Sequence, residues 1–329
     1  MQNRWSKEEY LNRVDAELLF EKQHWLLLFG SVLVGCIGLN LNSIPMILGA
    51  KLLSPLMPAI IGMGVGLSWL NLSLFRRALR ILVLQVLAAI CLATIYFWLT
   101  PLKAAGSELT GQASPNLWNI LISLVGGLVG AVGVRRKERN HIAAGVALAT
   151  SLVPPLCTTG YGIATGQLTF VSGSLYLFAI NIFFIMLGHY LVARFMKDSI
   201  PKSPQVFGVY ALLAVLILWL VLPAKKESDK RVLTEAAQTF VTREFSQQIV
   251  LNQSLDMEKQ ELEVVVTGPA LTEADIRKLE QKQNAYGLQQ VRLVVQQVGS
   301  PTTNDEEGLN KRIADLIDQQ MAENNTATD

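Results

Sequence analysis

Residues 49–66, GAKLLSPLMPAIIGMGVG, combine groups that a plain membrane helix does not need. Lys51, Ser54, Pro55 and Pro58 interrupt an apolar run that continues through Gly62, Gly64 and Gly66. A proline inside a helix removes a backbone donor and costs about 3 kcal/mol. A lysine at mid-bilayer costs about 2.5–3.5 kcal/mol on insertion scales. A related stretch, GVALATSLVPPLCTTGYG, occupies 145–162. The chemistry these residues could do is recognition rather than bond cleavage. Breaks at Ser54-Pro55-Leu56-Met57-Pro58 and Ser151-Leu152-Val153-Pro154-Pro155 free main-chain groups at membrane depth. Such backbone persists only when buried in protein or lining a wet cavity. Half-helix N-termini there carry partial positive charge and suit an anion. The candidate solute-binding residues are therefore Lys51, Ser54, Pro55, Pro58, Ser151, Pro154, Pro155, Thr158 and Thr159.

Two plainer readings stand beside this one. Lys51 lies about seven positions into its span, ~10 Å at helical rise. With no acid in any predicted span, it snorkels, loses its proton, faces water or meets an anion. Each break could equally be a kink repaired by neighbouring helices. Gln85 and Asn181 are intramembrane polar groups of the kind that bond across helices.

Other chemistries find no support. There is no hydrolase triad, phosphate-binding glycine loop or metal-ligand cluster in the apolar part, so no enzyme, cofactor or metal is expected. His24 and His189 fall near predicted span ends, and His141 follows a basic loop. Cys36, Cys91 and Cys157 lie in apolar spans and read as buried free thiols. The lack of membrane carboxylates argues against a carboxylate-driven proton antiporter but leaves sodium held by carbonyls and hydroxyls open.

The elements that must hold these residues follow from hydropathy and charge. The chain is 51% hydrophobic and 16% charged, with net charge +2. Between Gln23 and Leu222 there are 12 Lys/Arg against 3 Asp/Glu; from Pro223 to Asp329 there are 12 against 18. The first is a membrane domain and the second an acidic soluble one. Spans of about 20 residues fall near 24–41, 44–70, 78–100, 117–134, 141–165, 169–193 and 205–222, the second and fifth interrupted. The loops 71–80, 135–139 and 194–202 are basic, and the intervening loops carry one cation, Lys103. The positive-inside rule puts the basic loops and the N-terminus in the cytoplasm. Seven crossings then place the C-terminal domain outside, although Lys225, Lys226, Lys230 and Arg231 pull the other way.

Setting Ser54 on Ser151 puts Pro58 on Pro155, and one inserted residue puts Gly62 on Gly160 and Gly64 on Gly162. Three spans per unit make the second unit inverted, a 3 + 3 arrangement. The glycines at 62, 64, 66, 126, 127, 130 and 133 read as close-packing positions. Residues 1–22 form an amphipathic helix (Tyr10, Val14, Leu18, Leu19) with a Ser6/Glu9 capping box, not a secretory signal. The 223–299 module reads helix, strand, strand, helix, strand, with Thr272 and Asp275 as capping box and Gly287 as stop. Residues 300–329 are a polar tail with room for one helix. The fold class is a polytopic α-helical membrane protein of about seven spans, with two interrupted helices and a small C-terminal α+β domain.

GLNLNS at 38–43, GAKLLSPLMP at 49–58, RRKER at 135–139 and GVALATSLVPPLCTTG at 145–160 together resemble a prokaryotic family of uncharacterised hydrophobic membrane proteins, domain of unknown function 389. The resemblance covers roughly residues 25–195 and implies a prokaryotic, multi-pass plasma-membrane protein. It supplies no activity to carry over. The functional expectation is a permease or channel for a small, anionic solute, the bilayer and further copies of itself being the partners and nucleic acid not. The alternative is a non-transporting sensor or scaffold whose C-terminal module binds a ligand or partner.

Overall fold

The structure, a computed structural model, describes residues 7–18, 22–101, 104–134, 152–194, 204–257, 259–269 and 271–298. Ser6, Ser151, His141 and the RRKER loop lie outside the described residues. Two compact units meet in sequence at Glu227 and Ser228.

Helices α1 (Lys7–Glu17), α2 (Lys22–Asn40), α3 (Ile44–Leu53), α4 (Met57–Ser68), α5 (Leu72–Leu99), α6 (Ser107–Ala113), α7 (Leu117–Val134), α8 (Val153–Thr165) and α9 (Leu168–Arg194) follow in order in the first unit, and α10 (Pro204–Glu244) begins there and ends in the second. Five of these (α2, α5, α7, α9 and α10) are long and apolar enough to cross a membrane, and α3 with α4 makes a sixth, bent by 53°. Of the predicted 141–165 span, only 152–165 is described. Leu84, Leu87 and Ile95 of α5 and Leu121, Val125 and Val129 of α7 are exposed. That outward apolar surface fits lipid contact.

Hydrogen bonds sort the helix ends into two sets. At one end Asn40 Nδ2 donates to Thr100 Oγ1 at 3.1 Å, and Asn42 Nδ2 donates to Ser107 Oγ at 3.0 Å. At the other, Arg194 donates to the Ser68 carbonyl, 3.4 Å, and to Tyr210 Oη, 3.2 Å. That guanidinium sits where the α4 dipole is negative. The α1 stripe Tyr10, Val14 and Leu18 is buried. Tyr10 meets Trp69 edge-on at 6.0 Å, and Arg77 of α5 donates to Asp15 at 3.0 Å. The amphipathic helix therefore packs on the bundle by its apolar face, the stripe spacing having predicted which face.

Three expectations change. The stretch 205–222 and the helix predicted from 229 are one helix that runs through Pro223. Pro223 cannot donate to the Trp219 carbonyl, and the next carbonyl, Leu220, accepts from Tyr176 Oη at 2.6 Å. A neighbouring side chain thus bonds to the backbone beside the carbonyl that Pro223 leaves without its donor. The loop at 101–116 contains α6. Its N-cap, Gly106, offers no side chain, and Asn42 Oδ1 accepts instead from the Glu108 N–H at 2.9 Å. Cys91 is exposed rather than buried, because it lies on the outer face of α5; Cys36 and Cys157 are buried.

The second unit holds β1 (Ile249–Asp256), β2 (Glu261–Thr267), α11 (Glu273–Gln283), a single 3-10 turn (Asn284–Tyr286) and β3 (Arg292–Val298). β1 and β2 form an antiparallel hairpin. β2 and β3 are parallel, so α11 is the crossover that parallel pairing demands. The Thr272–Asp275 capping box is formed, and Gly287 ends the turn at φ 75. Phe240, Val241, Phe245, Leu262, Val264, Val266 and Leu293 make its core.

Candidate functional site

The break between α3 and α4 is built by two prolines. In an unbroken helix the Lys51 carbonyl would receive the N–H of residue 55 and the Ser54 carbonyl that of residue 58. Both are prolines and have none to give. Ser54 turns extended, with φ −69 and ψ 123. Pro58 lies in the first turn of α4, where a missing N–H is harmless. Two side chains bond to the exposed backbone. Gln85 Nε2, from α5, donates to the Pro55 carbonyl at 3.1 Å. Ser31 Oγ, from α2, donates to the Ala50 carbonyl at 2.8 Å. Among the described residues, Ser54 Oγ and Gln85 Oε1 are buried with no partner.

Helix α8 begins inside the bundle. Val153 and Cys157 lie against Gly35 of α2, and Ala50 of α3 lies there too. Val153 through Gly162 are all buried, Pro154 and Pro155 included. Thr159 Oγ1 donates to the Pro155 carbonyl at 2.9 Å and sits 2.7 Å from Ser174 Oγ, so its hydroxyl is engaged. Thr158 Oγ1 is buried without a partner, as is His189 Nε2.

The surroundings of α4 and α8 match at one separation. The helices start at Met57 and Val153, which are 153 − 57 = 96 residues apart. The same offset relates the turns that follow. Asn71 N–H donates to the Gly66 carbonyl at 2.8 Å, and Gln167 N–H to the Gly162 carbonyl at 2.9 Å. Leu70 (φ 55) and Gly166 (φ 74) both take the left-handed conformation between them. A Cβ on Gly64 would fall 2.9 Å from His189 Cβ and 3.3 Å from Tyr190 N; one on Gly160 would fall 2.5 Å from Ala93 Cβ and 2.7 Å from Thr94 N. Gly64 and Gly160, Ala93 and His189, and Thr94 and Tyr190 obey the same offset. So do Gln85 and Asn181, both buried; Asn181 Oδ1 accepts from Ser123 Oγ at 2.6 Å. At this separation Gly160 falls on Gly64 rather than on Gly62, with no inserted residue. Apolar glycine-rich strings align in several registers, and packing selects one.

Lys51 lies in the last turn of α3, half-buried. It is not electrostatically alone, since Glu108 on α6 attracts it. The glycine readings hold for 62, 64, 66 and 127. Gly127 approaches the Ile185 backbone of α9, and Gly64 approaches that of Met186. Ser31 and Ser174 were not anticipated; small hydroxyls in an apolar span carry no spacing signal.

A bundle of long apolar helices, one of them bent at a proline pair, defines a helical membrane protein. Residues 52–187 match the family described as "Domain of unknown function (DUF389)", and the resemblance seen in the motifs is thereby shown. The chain is also similar to "Uncharacterized protein MJ0678" of Methanocaldococcus jannaschii, 24% identical over 181 residues, which is 55% of this chain and 56% of that protein. It spans about half the length of that curated relative. No solved structure matches.

Proposed function

We propose that the chain is a membrane permease or channel for a small anionic solute, built as a 3 + 3 inverted repeat of seven spans. The observation that carries this reading is the pair α4 and α8, two helices that begin inside the bundle with matching packing at a constant separation of 96 residues (153 − 57). Broken helices at equivalent places in two halves are where transporters hold their cargo. The path in this reading runs between the two helix starts, with Lys51, Ser54 and Thr158 contributing polar groups and Ser151 completing the second break. Helix N-termini and one lysine favour an anion along that path. The basic ends of the spans face the cytoplasm of a prokaryotic cell, and glycine faces left over by the bundle pair copies of the chain into a homo-oligomer. Purified protein in liposomes, offered a panel of small anions and uncharged metabolites, tests this. Flux above empty vesicles for one class supports it, and none for any class removes it.

A second reading, a sensor or scaffold, draws on the C-terminal unit. A cavity of about 200 Å³ there is lined by Leu233, Leu255, Asp256, Gln260, Gln289 and Val291, among others. Mixed apolar and amide walls suit a small polar ligand. Deleting residues 225–329 separates the two. Transport that survives makes the module regulatory, and a phenotype that follows the module alone favours the sensor.

A further inference from the structure

We propose that the break between α3 and α4 binds a monovalent cation of the sodium class. The argument starts with Gln85, which is 1% exposed. Its amide nitrogen is committed to the Pro55 carbonyl at 3.1 Å. That bond turns its oxygen, a pure acceptor, to the other side of the amide, where no described residue donates to it. Ser54 Oγ, one residue from Pro55, is equally without a partner. The prolines at 55 and 58 deprive the Lys51 and Ser54 carbonyls of their helical donors. The break therefore leaves a carboxamide oxygen and a hydroxyl buried without partners on either side of Pro55, next to two carbonyls without their helical donors at the negative pole of α3.

Leaving a buried acceptor unpaired costs about 1–3 kcal/mol, so an occupant that accepts no hydrogen bond but takes oxygen lone pairs stabilises the break. The ligand set decides which ion. Calcium and magnesium sites draw on carboxylates and transition metals on imidazole and thiolate, and residues 54–58 hold no carboxylate, histidine or cysteine. Neutral carbonyl and hydroxyl oxygens at an unwound half-helix end are the sodium environment of broken-helix membrane proteins. Lys51 is the charge on the same turn. Glu108 on α6 attracts it. The site does not depend on the transport reading, because an ion can occupy it whether or not a solute moves.

The test uses the purified full-length protein in detergent. Thermal unfolding is followed as sodium chloride replaces choline chloride at constant ionic strength, with potassium and lithium chloride as further arms. The expected result is a saturable rise in Tm with sodium and none with choline. In Ser54→Ala the half-saturating sodium concentration rises about tenfold, corresponding to about 1.4 kcal/mol. In Gln85→Glu, which supplies a carboxylate while giving up the bond to the Pro55 carbonyl, it falls above the carboxyl's own titration. No sodium-specific shift in the wild-type protein, or an unchanged shift in both variants, overturns the proposal. A sodium response without flux of any solute leaves this site standing and removes the permease, so the two outcomes are separable.

Discussion

Gln85 reaches from the middle of α5 to the Pro55 carbonyl, 3.1 Å away, and joins a straight helix to the gap in a bent one. It gives a main-chain oxygen inside the bundle a side-chain donor. Gln85→Leu should therefore lower stability by about 1–3 kcal/mol, the usual cost of orphaning a buried polar group. Denaturant unfolding in detergent measures it. A loss no greater than that of Leu87→Ala, on the exposed face of α5, would show that the bond does not hold the break.

The close approaches at Gly64 and Gly160 predict paired sensitivities. A methyl group at either would fall within 3.0 Å of atoms on α9 or α5, including Met186 O at 2.7 Å and Thr94 N at 2.7 Å. Gly64→Ala and Gly160→Ala should each destabilise by about 1–3 kcal/mol. Gly30→Ala, where nothing lies within 4 Å, is expected to be neutral or slightly stabilising. Melting temperatures of the three variants decide, and similar values for all three would contradict the packing.

Tyr176 and Pro223 should be coupled. Tyr176→Phe removes the donor to the Leu220 carbonyl and should cost about 0.5–1.5 kcal/mol. With Pro223→Ala in place the helix closes its own ladder, and the same substitution should cost less. A double-mutant cycle gives the coupling directly, and zero coupling would mean the tyrosine does not repair the proline.

In the C-terminal unit, Glu244 accepts from Lys282 and from Tyr286 Oη. The hydrogen bond from Lys282, followed by that from Tyr286, holds the Glu244 carboxyl below its ordinary value. The same Glu244 bond raises the Lys282 ammonium. The signs follow from linkage. The depressed carboxyl contributes stability above its unfolded value that is lost as pH falls through the folded one. The raised ammonium contributes below its unfolded value, and that is lost as pH rises through the folded one. The link is thus present around neutrality and absent at both extremes. Glu244→Gln should speed amide exchange in β2 near pH 7 and leave it unchanged in acid, which exchange mass spectrometry of the full chain can read.

Membrane orientation yields a labelling prediction. Ser107, bonded to Asn42, and Arg80, near the start of α5, belong to opposite sets of helix ends. In intact cells an impermeant thiol reagent should label Ser107→Cys but not Arg80→Cys if the basic end is cytoplasmic. The reverse pattern would invert the topology.

Much of this architecture is legible in the residues because its signals are local. Apolar runs of about 20 residues give α2, α5, α7 and α9. Pro55 and Pro58 give the break, and Thr272 with Asp275 gives the start of α11. What was not legible depends on partners distant in sequence. Pro223 reads as a helix end until Tyr176, 44 residues away, is seen bonding to Leu220. Gly106 reads as loop until Asn42 is found capping α6. Of the candidate site, Ser54, Pro55 and Pro58 mark the break directly. The role of Ser31 and the equivalence of Gly64 with Gly160 needed packing, since one apolar string can be slid along another at little cost.

The two prolines at the junction of α3 and α4 have a mechanical meaning. Flexing an ordinary span breaks i to i−4 bonds, each of which must find a new partner in lipid. Here the Lys51 and Ser54 carbonyls have no such bonds to break, so the 53° angle can open or close as a hinge with the ladder on either side intact. Gln85 from α5, on the Pro55 carbonyl, and Ser31 from α2, on the Ala50 carbonyl, are the latches of that joint.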